Sequence, residues 1–347
     1  MVMHDSSIGR TDPITLTQWI LTQQQIKAPN ARGNLSILLN ALCVACKYVE
    51  AAVRKAGLAG VLGLAGSGNV QGEDQKKLDV LANEVFINVL KRCGQCSVLV
   101  SEEIDEEIII EGGGDYSVMF DPLDGSSNID CGVSIGTIYG IFKKPADEAA
   151  SVKNVLRPGR ELVAAGYCLY GSSCSMVISV GGPPTHFTLD PSLGEFVLTS
   201  PALHVPDSGK IYSINEGNSV LWDAPTSQFV KECKQPANDG APKSLRYVGS
   251  MVADVHRTLL YGGVFMYPAD SKTKTGKLRL LYEGNPMAFL VENGGGRAIT
   301  GSSGAVLDLQ PCKIHERSPI FLGSKQDIDR IEALYQGAAE ADHLALF

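Results

Sequence analysis

Apolar positions along the chain follow two periods, and the switch between them outlines the elements. Over residues 34–57, Leu35, Leu38, Leu39, Leu42, Cys46, Val49 and Val53 recur at intervals of three and four, the stripe of an amphipathic helix, and Gly57 supplies a stop. Residues 15–27 carry the same period. So do residues 75–93, where Leu78, Leu81, Val85 and Val89 are expected inward, Asp79 interrupts the stripe, and Gly94 ends the run. Short β-branched and aromatic runs at 97–100 and 116–120 read as buried strands. Five more strand-like runs follow at 133–142, 162–170, 175–180, 187–189 and 195–198, joined by turns such as Gly181-Gly182-Pro183-Pro184. That spacing predicts a meandering, largely antiparallel sheet. Beyond Ser200-Pro201 the texture changes to alternating strands and helices: a strand at 211–214 and helices at 219–235, 251–261 and 286–293. The class is therefore α/β, with a boundary placed at residue 200.

Composition narrows the setting. The chain has 347 residues, enough for one large or two medium domains, with 44% hydrophobic and 20% charged residues. Its net charge of −8 argues against nucleic acid and anionic membranes as partners. No segment reads as approaching the roughly 18 apolar residues of a membrane span, and the first dozen residues lack the apolar core of a secretory signal. A cytoplasmic location is expected. The nine cysteines include Cys43-x-x-Cys46 and Cys93-x-x-Cys96. With no second pair nearby to complete a tetrahedral set, they read as reduced packing thiols rather than zinc or redox sites.

The candidate chemistry gathers at strand ends. Asp121-Pro122-Leu123-Asp124-Gly125-Ser126-Ser127 follows an apolar run, and Pro122 and Gly125 are expected to bend the chain so that the two carboxylates converge. Gly125, Ser126 and Ser127 offer N–H groups and hydroxyls to an anion. Carboxylates beside anion donors suit a hard cation plus phosphate, although a bare D-x-x-D-G is equally an Asx turn. Two further apolar runs also end in acid: one at Glu102-Glu103, one at Glu283.

At this point the chain resembles the fructose-1,6-bisphosphatase family of Mg²⁺-dependent, lithium-sensitive sugar and inositol phosphatases. The resemblance rests on Ser101-Glu102-Glu103, on FDPLDGSSNID from Phe120, on RYVGSMVADVHRTLL from Arg246 and on GKLRLLYE from Gly276. It implies a sugar phosphatase fold of alternating helix and sheet layers with two subdomains: an allosteric-type and metal-site domain at 1–200, and a sugar-phosphate-binding domain at 201–347. It implies roughly two to three Mg²⁺ ions per subunit, with Mn²⁺ or Zn²⁺ as alternatives. Glu102, Glu103, Asp121, the Leu123 carbonyl, Asp124, Glu283 and Asp74 would hold them. Asp79 and Glu103 would be catalytic. The substrate, fructose 1,6-bisphosphate, would meet Gly125, Ser126, Ser127, Asn215, Arg246, Tyr247, Met251, Tyr267 and Lys277. The glycine-rich run at 62–69, which lacks a P-loop ending, would be the loop that closes over the metals.

The same resemblance implies a homotetramer in which Arg246 serves a neighbouring subunit, and inhibition by AMP or fructose 2,6-bisphosphate. The AMP phosphate would lie at Gly33, Leu35 and Ser36, with Tyr116 nearby. Asp115 stands where animal members place a lysine, so AMP inhibition is expected to be weak or absent. Asn218 replaces a phosphate-binding tyrosine of animal members. Residues 143–159 hold no cysteine, so the thioredoxin control of chloroplast members is not expected. The competing readings are a sedoheptulose-1,7-bisphosphatase or related sugar or inositol phosphatase, and a non-catalytic sugar-phosphate sensor.

Overall fold

The computed structural model describes residues 12–59, 63–68, 74–236, 240–301 and 304–344, with side chains omitted at 57–59, 64, 66–68, 74–75 and 339–344. Helices are α1 (Leu16–Lys27), α2 (Asn34–Ala59), α3 (Lys77–Arg92), α4 (Ala224–Lys234), α5 (Met251–Tyr261), α6 (Asn285–Asn293) and α7 (Lys325–Leu344). Strands in the first half are β1 (Leu64–Gly68), β2 (Asp74–Lys76), β3 (Cys96–Ser101), β4 (Ile108–Ile109), β5 (Tyr116–Asp124), β6 (Ile135–Lys143), β7 (Leu162–Tyr170), β8 (Cys174–Ser179), β9 (Thr185–Asp190) and β10 (Glu195–Ser200). Those in the second half are β11 (Ile211–Ser213), β12 (Ser244–Leu245), β13 (Val264–Tyr267), β14 (Leu278–Arg279), β15 (Arg297–Ile299), β16 (Arg317–Ser318) and β17 (Ile320–Gly323).

Eight strands form the large sheet in the order β10-β9-β8-β7-β6-β5-β3-β4, antiparallel throughout except at β3–β5. The meander expected from the strand spacing is therefore present. Both faces of the sheet are covered, which explains why β3 and β5 read as unbroken apolar runs. Along β5, Val118 and Phe120 enter the core beneath α1–α3, while Met119 enters the core shared with α5 and α6. A five-stranded sheet, β12-β11-β13-β17-β15, lies beyond α5 and α6, and α4 and α7 close its outer side around Phe229, Ile328 and Ile331. Helix and sheet layers alternate, as expected for the class.

Three expectations are corrected. In α3 the fully enclosed line is Leu78, Ala82, Phe86 and Leu90, whereas Val85 and Val89 pack only partly. Phe86 sets this rotation by stacking on Phe120 at 5.4 Å between centroids. The helix expected over 219–235 is shorter: a 3₁₀ turn occupies Glu216–Leu221, and α4 starts only after Asp223, which caps Thr226 N–H, with Pro225 in its first turn. Finally, Asn34–Ala56 is long and apolar enough to cross a membrane, with mean hydropathy 1.5. It instead encloses Leu38, Leu42, Ala45, Cys46 and Val49 in the core, and its apolar total is raised by Ile37 and Val44 on the outer face.

Candidate active site

The site grows out of one register relation. Strands β3 and β5 run parallel with Ser101 opposite Phe120, so the next residues, Glu102 and Asp121, emerge side by side at the carboxyl ends of two neighbouring strands. Asp121 and Asp124 are three apart and would face opposite ways in a regular strand. A register shift against β6, with Asp121 opposite Ile138 and Asp124 opposite Gly136, turns both the same way. The strand thus continues through Pro122 with a bulge between Asp121 and Asp124, a correction to the sharp bend expected at Pro122. Gly125 follows at φ +78, and a Cβ at that position would meet the Ser250 side chain at 2.9 Å.

Each acid is fixed by backbone donors. Asp121 accepts from Leu123 N–H at 2.9 Å. Asp124 accepts from Val252 N–H at 2.8 Å and from Ser250 Oγ at 3.4 Å, at the start of α5. Glu283, in a π-helical turn ahead of α6, accepts from Arg279 N–H at 2.5 Å. The ligand atoms of Asp121, Asp124 and Glu283 lie within 4.8 Å of one another, and all three residues are buried. Burial pushes Asp124 up to about 7, with the Glu283 charge adding to it. Burial and then the charges of Glu102, Asp124 and Glu283 push Asp121 well above the carboxylate range. Burial also raises Glu102, against the pull of Arg279, whose Nη2 is 3.0 Å away. Oxygen donors packed this tightly repel one another and fit a hard divalent cation.

Asp79 sits in the first turn of α3 and is 2% exposed. Its Oδ2 accepts from Lys76 N–H at 2.8 Å, and Oδ1 is buried without a hydrogen bond among the described residues. Burial raises this group to about 7. Glu103 lies next to Ser101, whose Oγ accepts Glu103 N–H at 3.2 Å and donates to Asn83 at 2.8 Å, so α3 and β3 brace the acids jointly.

A cavity of about 520 Å³ joins these acids to the second half of the chain. Its walls include Glu102, Glu103, Asp121, Leu123, Asp124, Gly125, Ser126, Ser127, Tyr247, Met251, Tyr267, Lys277 and Glu283, all expected from the sequence. The segment bearing Tyr247 is held down through Asp254, which is fully buried, accepts Val248 N–H at 3.1 Å and pairs with Arg257. Three expected residues with described side chains do not line it: Asp79, buried in the first turn of α3, Asn215 and Arg246. Asn215 caps its own 3₁₀ turn and faces a small adjoining pocket with Asn218, Trp222 and Tyr267. Arg246 is exposed and its Nη1 bonds the Leu245 carbonyl. Asp74 opens β2, but its side chain, like residues 62 and 69 of the glycine-rich run, is outside the described residues.

Arg279 also lines the cavity, as expected of a basic cluster with Lys272, Lys274 and Lys277 that serves the substrate, whereas Lys76, Gly249, Ser250, Phe265 and Leu278 were not singled out for this site by sequence. Arg279 is 5% exposed, whereas Lys272 and Lys274 of the same basic cluster are exposed. The apolar context Leu278-Arg279-Leu280-Leu281 was the available signal. A cation flanked by core residues needs a buried anion.

A second cavity, of about 480 Å³, lies between α1 and the start of α2. Gly33, Leu35, Ser36, Asp115, Tyr116, Lys27 and Lys143 line it. Gly33 takes φ +84 to start α2. Ser36 Oγ donates to Gln24 at 2.6 Å, and Asn34 Nδ2 donates to Asp115 at 3.4 Å.

Comparison with known proteins agrees with this geometry. Residues 14–201 match the family model for the fructose-1,6-bisphosphatase N-terminal domain, and residues 205–336 match that for the C-terminal domain. The cytosolic fructose-1,6-bisphosphatase of Oryza coarctata is 57% identical over 342 residues, covering 98% of this chain and 99% of its own. That of Brassica napus is 59% identical over 334 residues, 96% of this chain and 98% of its own. The holo crystal structure of Leishmania major fructose-1,6-bisphosphatase superposes with a TM-score of 0.88 at 42% identity, covering 94% of this chain and 99% of that one. With both of its halves matched and its carboxylates converging from three elements, this chain belongs to the fructose-1,6-bisphosphatase family.

Proposed function

We propose that this protein is a cytoplasmic phosphoric monoester hydrolase that removes the 1-phosphate of D-fructose 1,6-bisphosphate, giving fructose 6-phosphate and inorganic phosphate. The single observation that carries the reading is one cavity lined both by buried, mutually repelling carboxylates and by Tyr247, Tyr267 and Lys277. Such a cavity fits a ligand with a reacting phosphate and a distal one. Mg²⁺ is the ion the oxygen-only donor set favours, with two to three sites as a working number, on the order expected for clamped phosphoryl transfer. Glu102, Glu103, Asp121, the Leu123 carbonyl, Asp124, Glu283 and Asp74 would hold the ions. When bound, they would neutralise charge on the transferring group and make a water more acidic.

The chain's own groups supply the rest. The N–H groups and hydroxyls at Gly125, Ser126 and Ser127 cradle the reacting phosphate. Asp79 and Glu103 accept the proton of the attacking water, a contribution of about 10²–10⁴-fold. Burial makes Asp79 basic enough for that task near neutral pH. Tyr247, Tyr267, Lys277 and Asn215 bind the distal phosphate and sugar, with Met251 packing against the ring. We assign residues 1–200 to the metal-site and regulatory unit and 201–347 to the sugar-phosphate unit. Fructose 2,6-bisphosphate would compete for the same cavity.

Arg246 is exposed and does not line its own cavity, which fits delivery to a neighbouring subunit in a homotetramer. Mixing inactive Arg246→Ala and Asp121→Ala subunits should then restore part of the activity, and light scattering should give a tetramer mass. A monomer with no recovered activity would refute the assembly. For the reaction itself, phosphate release is measured on a panel of sugar phosphates with Mg²⁺ or excess chelator. Preferred turnover of a substrate other than fructose 1,6-bisphosphate, or full activity in chelator, would overturn the assignment.

A further inference from the structure

The end of α3 and the start of β3 bring two thiols together outside the phosphatase cavity. Cys93 caps α3 with φ still helical at −67. Gly94 turns the chain at φ +68, and Cys96 opens β3. The two Sγ atoms are 4.0 Å apart. That gap is closed by side-chain rotation across a four-residue turn rather than by moving an element.

A second free pair offers a contrast. Cys168 on β7 and Cys174 on β8 have Sγ atoms only 3.5 Å apart, closer than the first pair. Both are buried in the core beneath α2, and burial pushes the Cys168 thiol well up. Cys93 is only half-buried, directly after exposed Lys91 and Arg92. A hydrogen bond from the Cys96 thiol lowers Cys93 to about 6, helped by the N–H groups of Gln95 and Cys96 and opposed by burial. Proximity is common to both pairs. Access and thiolate character belong to one.

We propose that Cys93 and Cys96 are a redox-active dithiol, closing to an intramolecular disulfide on reaction with a hydroperoxide. The Cys93 thiolate attacks the terminal peroxide oxygen, the O–O bond breaks, and Cys93 becomes a sulfenic acid as the alcohol or water leaves. Cys96 then displaces that hydroxyl, the S–S bond forms, and its thiol proton leaves with the hydroxyl as water. Two electrons pass from the two thiols to one peroxide. A dithiol reductant reverses the step through a mixed disulfide. Six residues of β3, about 20 Å at 3.3 Å each, separate this turn from Glu102, so thiol state rather than turnover is the readout.

The test treats the full chain with one equivalent of hydrogen peroxide, then denatures, alkylates and cleaves it after Arg92 and Glu102. Fragment 93–102 should be unalkylated and lighter by two hydrogens, and dithiothreitol should return both thiols. Cys93 should be consumed about tenfold faster than Cys168. In Cys96→Ser the intermediate should persist as a sulfenic acid captured by dimedone, and Cys93→Ser should leave Cys96 fully alkylated. Both thiols alkylated in the parent, or a sulfinic acid at Cys93 beside a free Cys96, would overturn the proposal.

Discussion

The cavity at the ends of β3 and β5 and the cavity between α1 and α2 are of similar size, about 520 and 480 Å³. Both offer N–H groups to an anion. They differ in where their acids lie. In the first, Glu102, Asp121, Asp124 and Glu283 are each below 8% exposed. In the second, Asp115 is exposed and shares its surroundings with Lys27 and Lys143. Burial converts the first set into a demand for a cation, because charges removed from water must be paired or protonated. Exposure leaves Asp115 as a screened surface charge that shifts affinity by small factors. The same residue type thus sets the chemistry in one cavity and only adjusts binding in the other.

The sharpest way to break this comparison is Asp121→Ala. Losing a buried carboxylate among the candidate ion ligands should lower kcat by more than about 10²-fold, read by phosphate release at saturating Mg²⁺. Near-parental turnover would show that the cluster is structural.

Asp79→Asn keeps the shape and removes the base. We expect kcat to fall by about 10²-fold with KM little changed, and the pH–rate profile to lose its limb near 7. A rise in KM with kcat intact would make Asp79 a binding residue instead.

A smaller effect should appear in stability. Asp124 is held near 7 in the folded protein against 3.8 ordinarily, so folding favours its protonated form. Its contribution is fully present below about pH 4 and is lost as pH rises through about 7. In excess chelator the melting temperature should therefore drop by several degrees between pH 5 and pH 8, and Mg²⁺ should recover most of it at pH 8. A chelated protein equally stable at both values would mean that the cluster is already neutralised without a divalent ion.

The smallest effect belongs to the second cavity. Asp115→Lys should tighten AMP inhibition roughly tenfold, about 1–2 kcal/mol after screening. An AMP titration of both proteins checks it. Tight inhibition of the parent, unchanged in the variant, would show that Asp115 does not face the nucleotide.

Much of this was legible in the sequence, for identifiable reasons. Short apolar, β-branched runs marked β5, β6 and β7, and a period near four marked α2, because such runs and helical stripes are local properties. Asp121, Asp124, Glu102, Glu103 and Glu283 stood out because acids ending apolar runs are rare without a purpose. The α4 start was misplaced because the Asp223 cap and Pro225 outweigh the apolar pattern before them. Arg279 was read with Lys272, Lys274 and Lys277 as one basic cluster, and its burial beside Glu102 was not foreseen.

The sequence by itself determined which residue types were available, where strands end in acid, and the family to which the chain belongs. Only the tertiary structure decided how they meet. The parallel register that sets Ser101 against Phe120 makes Glu102 and Asp121 neighbours, and the bulge between Asp121 and Asp124 turns two opposed carboxylates to one side. The partner of Arg279 and the contrast between the Cys93–Cys96 and Cys168–Cys174 pairs were likewise invisible along the chain. The reason is physical: periodicity reports which face a residue takes, whereas distance, burial and charge balance depend on elements far apart in sequence.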